Sequence, residues 1–289
     1  MKTVYALCLY KGIDRVKQDK ADFDRLKEVR CWLLDMDGTV TLGETALPNA
    51  FAFFDAICEQ DYLFITNNSS HDKNHYVRRL NRIGFATDAA QILTSTDALI
   101  AFLKSKNEPL CVFPVGTPSF EAELSQGGIA ITHERDQQID FVILAFDTTL
   151  NYQKLDIACD YIRKDTPYLA TNPDRVCPLP DNRVLPDCGA LIAYMETCTG
   201  RKPVRIVGKP ETDLIDLVLA EGSYKRSQLA MVGDRLYTDI EAAKRAGIVS
   251  VLVLSGETKR EDLTQSEQPD FVFEDIGELA SVIRRIGDR

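Results

Sequence analysis

Strand-length apolar runs alternate with helix-length amphipathic stretches at both ends of this sequence. That alternation restricts the chain to an α/β fold with a parallel sheet and right-handed crossovers. In the first third, strands are expected at 31–34 and 62–65. A helical pattern over 48–60 separates them, and a second one, with contacts at Tyr76, Val77, Leu80 and Ile83, stops at Gly84. In the last third, strands are expected at 204–207, 229–232, 249–254 and 270–273, with helices over 210–221, 238–246 and 277–286. The two outer thirds, 30–87 and 203–289, therefore read as one sheet. Residues 88–202 interrupt it with strand signals at 111–115, 141–145 and 168–171, helices over 119–126, 152–164 and 189–198, and a turn-rich tract at 172–182. That insert is long enough to be an α/β domain of its own. A charged extension, 1–29, precedes everything and is read as a short strand or extended segment plus a surface helix.

Several strands end in chemistry. The first feeds Asp35-Met-Asp37-Gly38-Thr39, placing two carboxylates where ligands sit in open parallel sheets. The second ends in Thr66-Asn67-Asn68-Ser69-Ser70 at a helix N-terminus, a cluster of hydroxyls and amides suited to an anion. Gly208-Lys209-Pro210 follows the strand at 204–207, and Gly233-Asp234 through Asp239 follows the strand at 229–232. Taken singly, a turn, a helix cap and a surface lysine would explain each. Together they converge on one edge of a parallel sheet: carboxylates suit Mg²⁺, and lysine and hydroxyl groups suit phosphate oxygens. That inventory describes phosphoryl transfer.

Composition narrows the setting. A net charge of −10 argues against nucleic acid or an anionic membrane as the main partner, although a small anionic substrate needs only a local positive site. No apolar run approaches the roughly 18 residues of a membrane span. The opening residues are apolar only briefly before charges begin, so no signal peptide is expected. Eight scattered cysteines without a Cys-x-x-Cys pair indicate reduced thiols in the cytoplasm. His71 and His75 stand four apart without a third ligand and read as a solvated helix face.

The ordered set Asp-x-Asp-Gly-Thr, strand-terminal Thr66, Gly-Lys-Pro and Gly-Asp-x-x-x-x-Asp resembles the motifs of the haloacid dehalogenase superfamily of Mg²⁺-dependent phosphatases. Thr66-Asn67-Asn68, Ala170-Thr-Asn-Pro-Asp174, Cys188-Gly189-Ala190 and Val207-Gly-Lys-Pro210 resemble its NagD-like, nitrophenylphosphatase-like branch, in which a large α/β cap is inserted into a Rossmann-like core. The resemblance covers residues 31–289 and leaves the extension unexplained.

By that resemblance, Asp35 is the nucleophile and Asp37 the acid and base. Thr66, with Gly38, Asn67 and Asn68 nearby, holds the phosphoryl oxygens, and Lys209 neutralises charge. Mg²⁺ is held by Asp35, Asp234 and the main-chain carbonyl of Asp37, with Asp239 in or near the set. Thr171, Asn172, Asp174 and Gly189 are the cap positions expected to meet the leaving group. The dehalogenase members lack the second aspartate, so Asp37 points to phosphate transfer. The expected substrate is a small phosphomonoester: a nucleotide, a sugar phosphate or a phosphorylated cofactor. A phosphomutase or phosphotransferase is the enzymatic alternative, and a non-catalytic binding protein the other; the complete set of catalytic residue types disfavours the latter. A homodimer is compatible with the branch, although no apolar stripe demands one.

Overall fold

The computed structural model describes residues 23–179, 183–263 and 268–287. Its first sheet has six strands in the order Phe271–Phe273, Val249–Val253, Leu229–Gly233, Cys31–Leu34, Asp61–Thr66, Ile92–Thr94. All are parallel. The Cys31–Leu34 strand lies inside it and is buried along its whole length, as a continuous apolar run in a sheet covered on both faces must be. Its side chains alternate. Trp32 and Leu34 pack with Phe53, Leu80 and Leu279 of the helices Ala50–Ala56, Lys73–Ile83 and Ile276–Gly287. Cys31 and Leu33 face the opposite layer.

A second sheet of five parallel strands runs in the order Arg205–Ile206, Tyr168–Ala170, Phe141–Leu144, Cys111–Val115, Ala130–Ile131. Helices Tyr152–Arg163 and Cys188–Thr199 cover its outer face. Its inner face contributes Val112, Ile143 and Leu169 to the same apolar layer that receives Leu33, Ile65 and Met231 from the first sheet, around Leu99 and Leu214. The α/β architecture with an added sheet is the one expected.

Two strand placements are corrected. The strand expected at 204–207 is Arg205–Ile206, and it pairs with Tyr168–Ala170 in the second sheet instead of joining the first. Ile206 packs outward there, while Val207 enters the shared layer. Conversely, Ile92–Thr94, inside the stretch assigned to the insert, pairs with Asp61–Thr66 at the edge of the first sheet. Strands this short carry too little periodicity to declare their sheet.

The turn-rich tract forms an antiparallel hairpin, Val176–Leu179 with Arg183–Pro186, and a small hairpin joins Thr41–Leu42 to Thr45–Ala46. Prolines survive in the larger hairpin because each strand of a two-stranded ribbon has a free edge. Of the extension, Asp24–Glu28 is helical, and Leu26 and Val29 are buried against the core; the expected leading strand lies outside the described residues. Among the described residues no helix is long and apolar enough to cross a membrane.

Candidate active site

Asp35 leaves the end of the Cys31–Leu34 strand, its backbone N–H still donating to Val232 across the sheet at 2.9 Å. Asp234 follows the neighbouring strand, and a widened helical turn, Leu236–Ile240, brings Asp239 back beneath it. Carboxylate oxygens of Asp35, Asp234 and Asp239 lie within 4.8 Å of one another. Gly38, Gly233 and Gly256 permit this crowding. A methyl group on Gly256 would stand 1.9 Å from Asp234 Oδ2, and Gly38, at φ +95°, also backs onto that oxygen.

Lys209 supplies the countercharge. Its buried Nζ donates to Asp35 Oδ1 and to Asp239 Oδ1, both at 2.6 Å, and to the Ile65 carbonyl at 3.3 Å. The two acids hold the ammonium above the usual lysine range despite its burial. Asp35 is pushed up to about 7: burial raises it most, Lys209 pulls it back, and Asp239 pushes it up again. Asp234 is raised well above the carboxylate range by burial, then by Asp35 and Asp239. One of its oxygens accepts from the Glu257 N–H at 2.6 Å, whereas Oδ1 is buried with no hydrogen-bond partner. A buried, unpaired carboxylate oxygen beside two further carboxylates fits a hard divalent cation with oxygen ligands.

Asp37 is held apart from that trio. Its carboxylate accepts from both terminal nitrogens of Arg79, from Thr41 Oγ1 at 3.2 Å and from the Gly43 N–H at 3.2 Å. Arg79 also donates Nε to the Gly43 carbonyl at 2.9 Å. Arg79 was not anticipated, and neither was Arg235. The latter lies within 3.4 Å of Asp174 and 2.8 Å of Glu257, and it lines the small cavity at Asp35.

Asp35, Asp37, Thr66, Asn67, Asn68, Asp174 and Lys209 line that cavity together, joined by Asp187 and Cys177. Thr171, Asn172 and Gly189 do not. Thr171 Oγ1 pairs with Ser69 Oγ at 3.0 Å, and Asn172 donates to the Asn67 carbonyl at 2.9 Å. Gly189 packs so closely on the loop before it that a Cβ would meet the Pro173 carbonyl oxygen at 2.2 Å. These three are fastened to neighbouring backbone and side chains rather than presented to a ligand. Gly38 lines a neighbouring cavity instead. Asn67 is a clamp as well: its side chain accepts from the Lys209 N–H at 2.8 Å and donates to the Lys209 carbonyl at 2.9 Å.

Comparison with known proteins identifies the family. Residues 32–130 match the model of the haloacid dehalogenase-like hydrolases, and residues 206–279 that of HAD-hydrolase-like proteins. The structure resembles that of a 4-nitrophenylphosphatase from Thermotoga maritima, with 39% identity, a TM-score of 0.84, and coverage of 90% of this chain and 99% of that one. The chain belongs to the haloacid dehalogenase-like hydrolases, in their NagD-like branch. This NagD-like chain is also similar to a glycerol phosphate phosphatase from Mycobacterium tuberculosis solved in complex with magnesium. The two share 29% identity with a TM-score of 0.80, over 88% of this chain and 77% of that one. An acid sugar phosphatase of Staphylococcus haemolyticus is 27% identical over 90% of this chain and 98% of its own length.

Proposed function

We propose that this NagD-like hydrolase is a cytoplasmic, Mg²⁺-dependent phosphatase that hydrolyses small phosphomonoesters through a phosphorylated Asp35. The observation that carries the reading is Lys209 Nζ seated at 2.6 Å from both Asp35 and Asp239, beside an Asp234 oxygen with no partner. With a divalent cation added to the three carboxylates, such an arrangement of charges would fit a phosphoryl group arriving at Asp35. Relatives named as phosphatases, one of them solved with magnesium, support it.

An oxygen of Asp35 attacks phosphorus, the bond from phosphorus to the leaving oxygen breaks, and Asp37 gives that oxygen its proton. Asp37 then takes a proton from a water attacking the same phosphorus, which frees phosphate and restores Asp35. Arg79, Thr41 and Gly43 fix the direction in which the Asp37 carboxyl points. Thr66 and Asn68, both in the cavity wall, hold phosphoryl oxygens, while Asn67 sets the backbone of Lys209. Asp35 and Asp234, with the Asp37 carbonyl and Asp239 close by, would hold Mg²⁺, which supplies positive charge facing the phosphoryl oxygens.

Spontaneous monoester hydrolysis is so slow that accelerations reach about 10²¹, of which a single acid or base contributes about 10² to 10⁴. Positioning and charge must carry the remainder, which is why one site needs so many fixed groups. The test is phosphate release from a panel of phosphomonoesters, with Mg²⁺ and with EDTA, by the wild type and by Asp35→Asn. Metal-dependent release that the substitution abolishes is expected; equal turnover by the variant would remove Asp35 from its role.

A further inference from the structure

A second cavity, of about 420 Å³, adjoins the one at Asp35, and Asp37, Val176 and Pro178 line both. Two hairpins form its walls: Leu42 comes from the smaller and Leu47 directly follows it, while Val176, Pro178 and Val184 come from the larger. Leu42, Val176 and Val184 are 40%, 39% and 55% exposed, so three of the exposed large apolar side chains among the described residues meet around one opening. Grouped apolar exposure beside a reactive centre marks a surface that something covers.

The polar groups of this cavity are mostly engaged. Ser255 Oγ already donates to the Gly38 carbonyl at 2.7 Å, Asp37 is held by Arg79, and Glu257 is paired with Arg235. Asp37, Asp234 and Glu257 outnumber Arg183, so the lining disfavours an anionic guest, and Asp234 Oδ1, buried without a hydrogen-bond partner, belongs to the carboxylate cluster at Asp35. A polyol entering here would find few free partners among the lining side chains and would gain little against Leu42, Val176 and Val184. An apolar body would cover Leu42, Val176 and Val184 and gain from it.

Resting on the reading of Asp35 as phosphoryl acceptor, we infer that this cavity receives the leaving alcohol and selects monoesters of alcohols with an apolar or aromatic body over polyol phosphates. The leaving oxygen sits at Asp37, where the two cavities meet, and its carbon body lies between the hairpins.

The test compares kcat/KM for 3-phenylpropyl phosphate and sorbitol 6-phosphate in Mg²⁺. Both are primary alkyl monoesters, so their leaving oxygens have similar intrinsic reactivity. The expected preference for the phenylpropyl ester is about tenfold or more, the scale on which an apolar pocket discriminates. The near-isosteric Val184→Thr, and Leu42→Asn, should each reduce that ratio several-fold, whereas Tyr152→Ser, at an exposed tyrosine outside both cavities, should not. Equal or better turnover of the sorbitol ester, or an unchanged ratio in active Val184→Thr and Leu42→Asn, overturns the inference and leaves the phosphatase reading standing. Failure to release phosphate from either ester and from every member of the wider panel overturns both.

Discussion

Lys209→Met keeps the length of the side chain and removes the one charge placed between Asp35 and Asp239. The wild-type ammonium is 3% exposed and lies 2.6 Å from each acid. Breaking a buried pair typically costs about 3–5 kcal/mol. With two acids sharing the cation and Asp234 beside them, the upper part of that range is expected. At about 2–4 °C per kcal/mol for a chain somewhat shorter than this one, the midpoint of thermal unfolding should fall by roughly 8–15 °C at pH 8 without divalent metal.

The size of the loss should depend on pH, in a direction the site dictates. Asp35 is raised in the folded protein from 3.8 to about 7, so its ionisation costs nothing below the unfolded value and progressively more as pH rises toward 7. Without Lys209 that folded value moves higher still, and the penalty continues to grow above pH 7. The deficit of the variant should therefore be clearly smaller at pH 5, where the acids take up protons, than at pH 8. Calorimetry at both pH values measures it, and phosphate release should drop about 10²- to 10³-fold in parallel. An equal loss of midpoint at pH 5 and pH 8 would refute the account, because a packing defect has no reason to follow carboxylate titration.

Arg79→Met frees the Asp37 carboxyl, and kcat should fall about 100-fold, the scale of a misplacement near 1 Å, with KM changed much less; steady-state kinetics decides. Gly256→Ala forces its new methyl group against Asp234 Oδ2, so Mg²⁺ titration of activity should shift to at least tenfold higher concentration. Asp187 caps the helix Cys188–Thr199, and burial, then the charge of Asp174, keep its carboxyl raised from 3.8 to about 7 even though the Cys188 N–H pulls it down. Its ionisation costs up to about 4 kcal/mol above pH 7 and nothing below pH 3.8, so Asp187→Asn, which preserves the cap, should stabilise the protein by about 1–3 kcal/mol at pH 8 and hardly at all at pH 4. Urea unfolding at the two pH values checks this.

The strand ends that carry the acids were legible because polar residues and the end of the apolar run coincide there. Cys31–Leu34 is continuously apolar since both faces are covered, and the acids begin where the cover ends. Lys209 was legible as a lysine following a strand, yet that strand lies in the other sheet: Arg205–Ile206 is a two-residue edge, and only its pairing with Leu169 and Ala170 reveals where it belongs. The proline-rich hairpin resembled a loop, since its pairing is fixed by contacts that alternation does not encode. Arg79 left a trace that could have been followed. It falls on the same helix face as Tyr76, Leu80 and Ile83, and a cation within an apolar stripe must find an acid inside the fold. Arg235 left none beyond following Asp234.

The seating of the two sheets sets the reactive geometry. Asp35, Asp234 and Asp239 come from the carboxyl edge of the first sheet, whereas Lys209 is delivered by the segment leaving the second. The 2.6 Å contacts between them persist only if the sheets are held in register. Asn67, at the end of a first-sheet strand, grips the backbone of Lys209, and its own carbonyl is gripped by Asn172 and Ser95. Thr171 and Ser69 repeat the connection beside it. Thr171 and Asn172, two of the residues suggested as contacts for the leaving group, thus form part of the joint that places the cation. Joint residues buried in this way cannot also adapt to different alcohols without disturbing the reactive centre. The task of discrimination therefore passes to the hairpins, where Leu42, Val176 and Val184 can vary without moving Lys209.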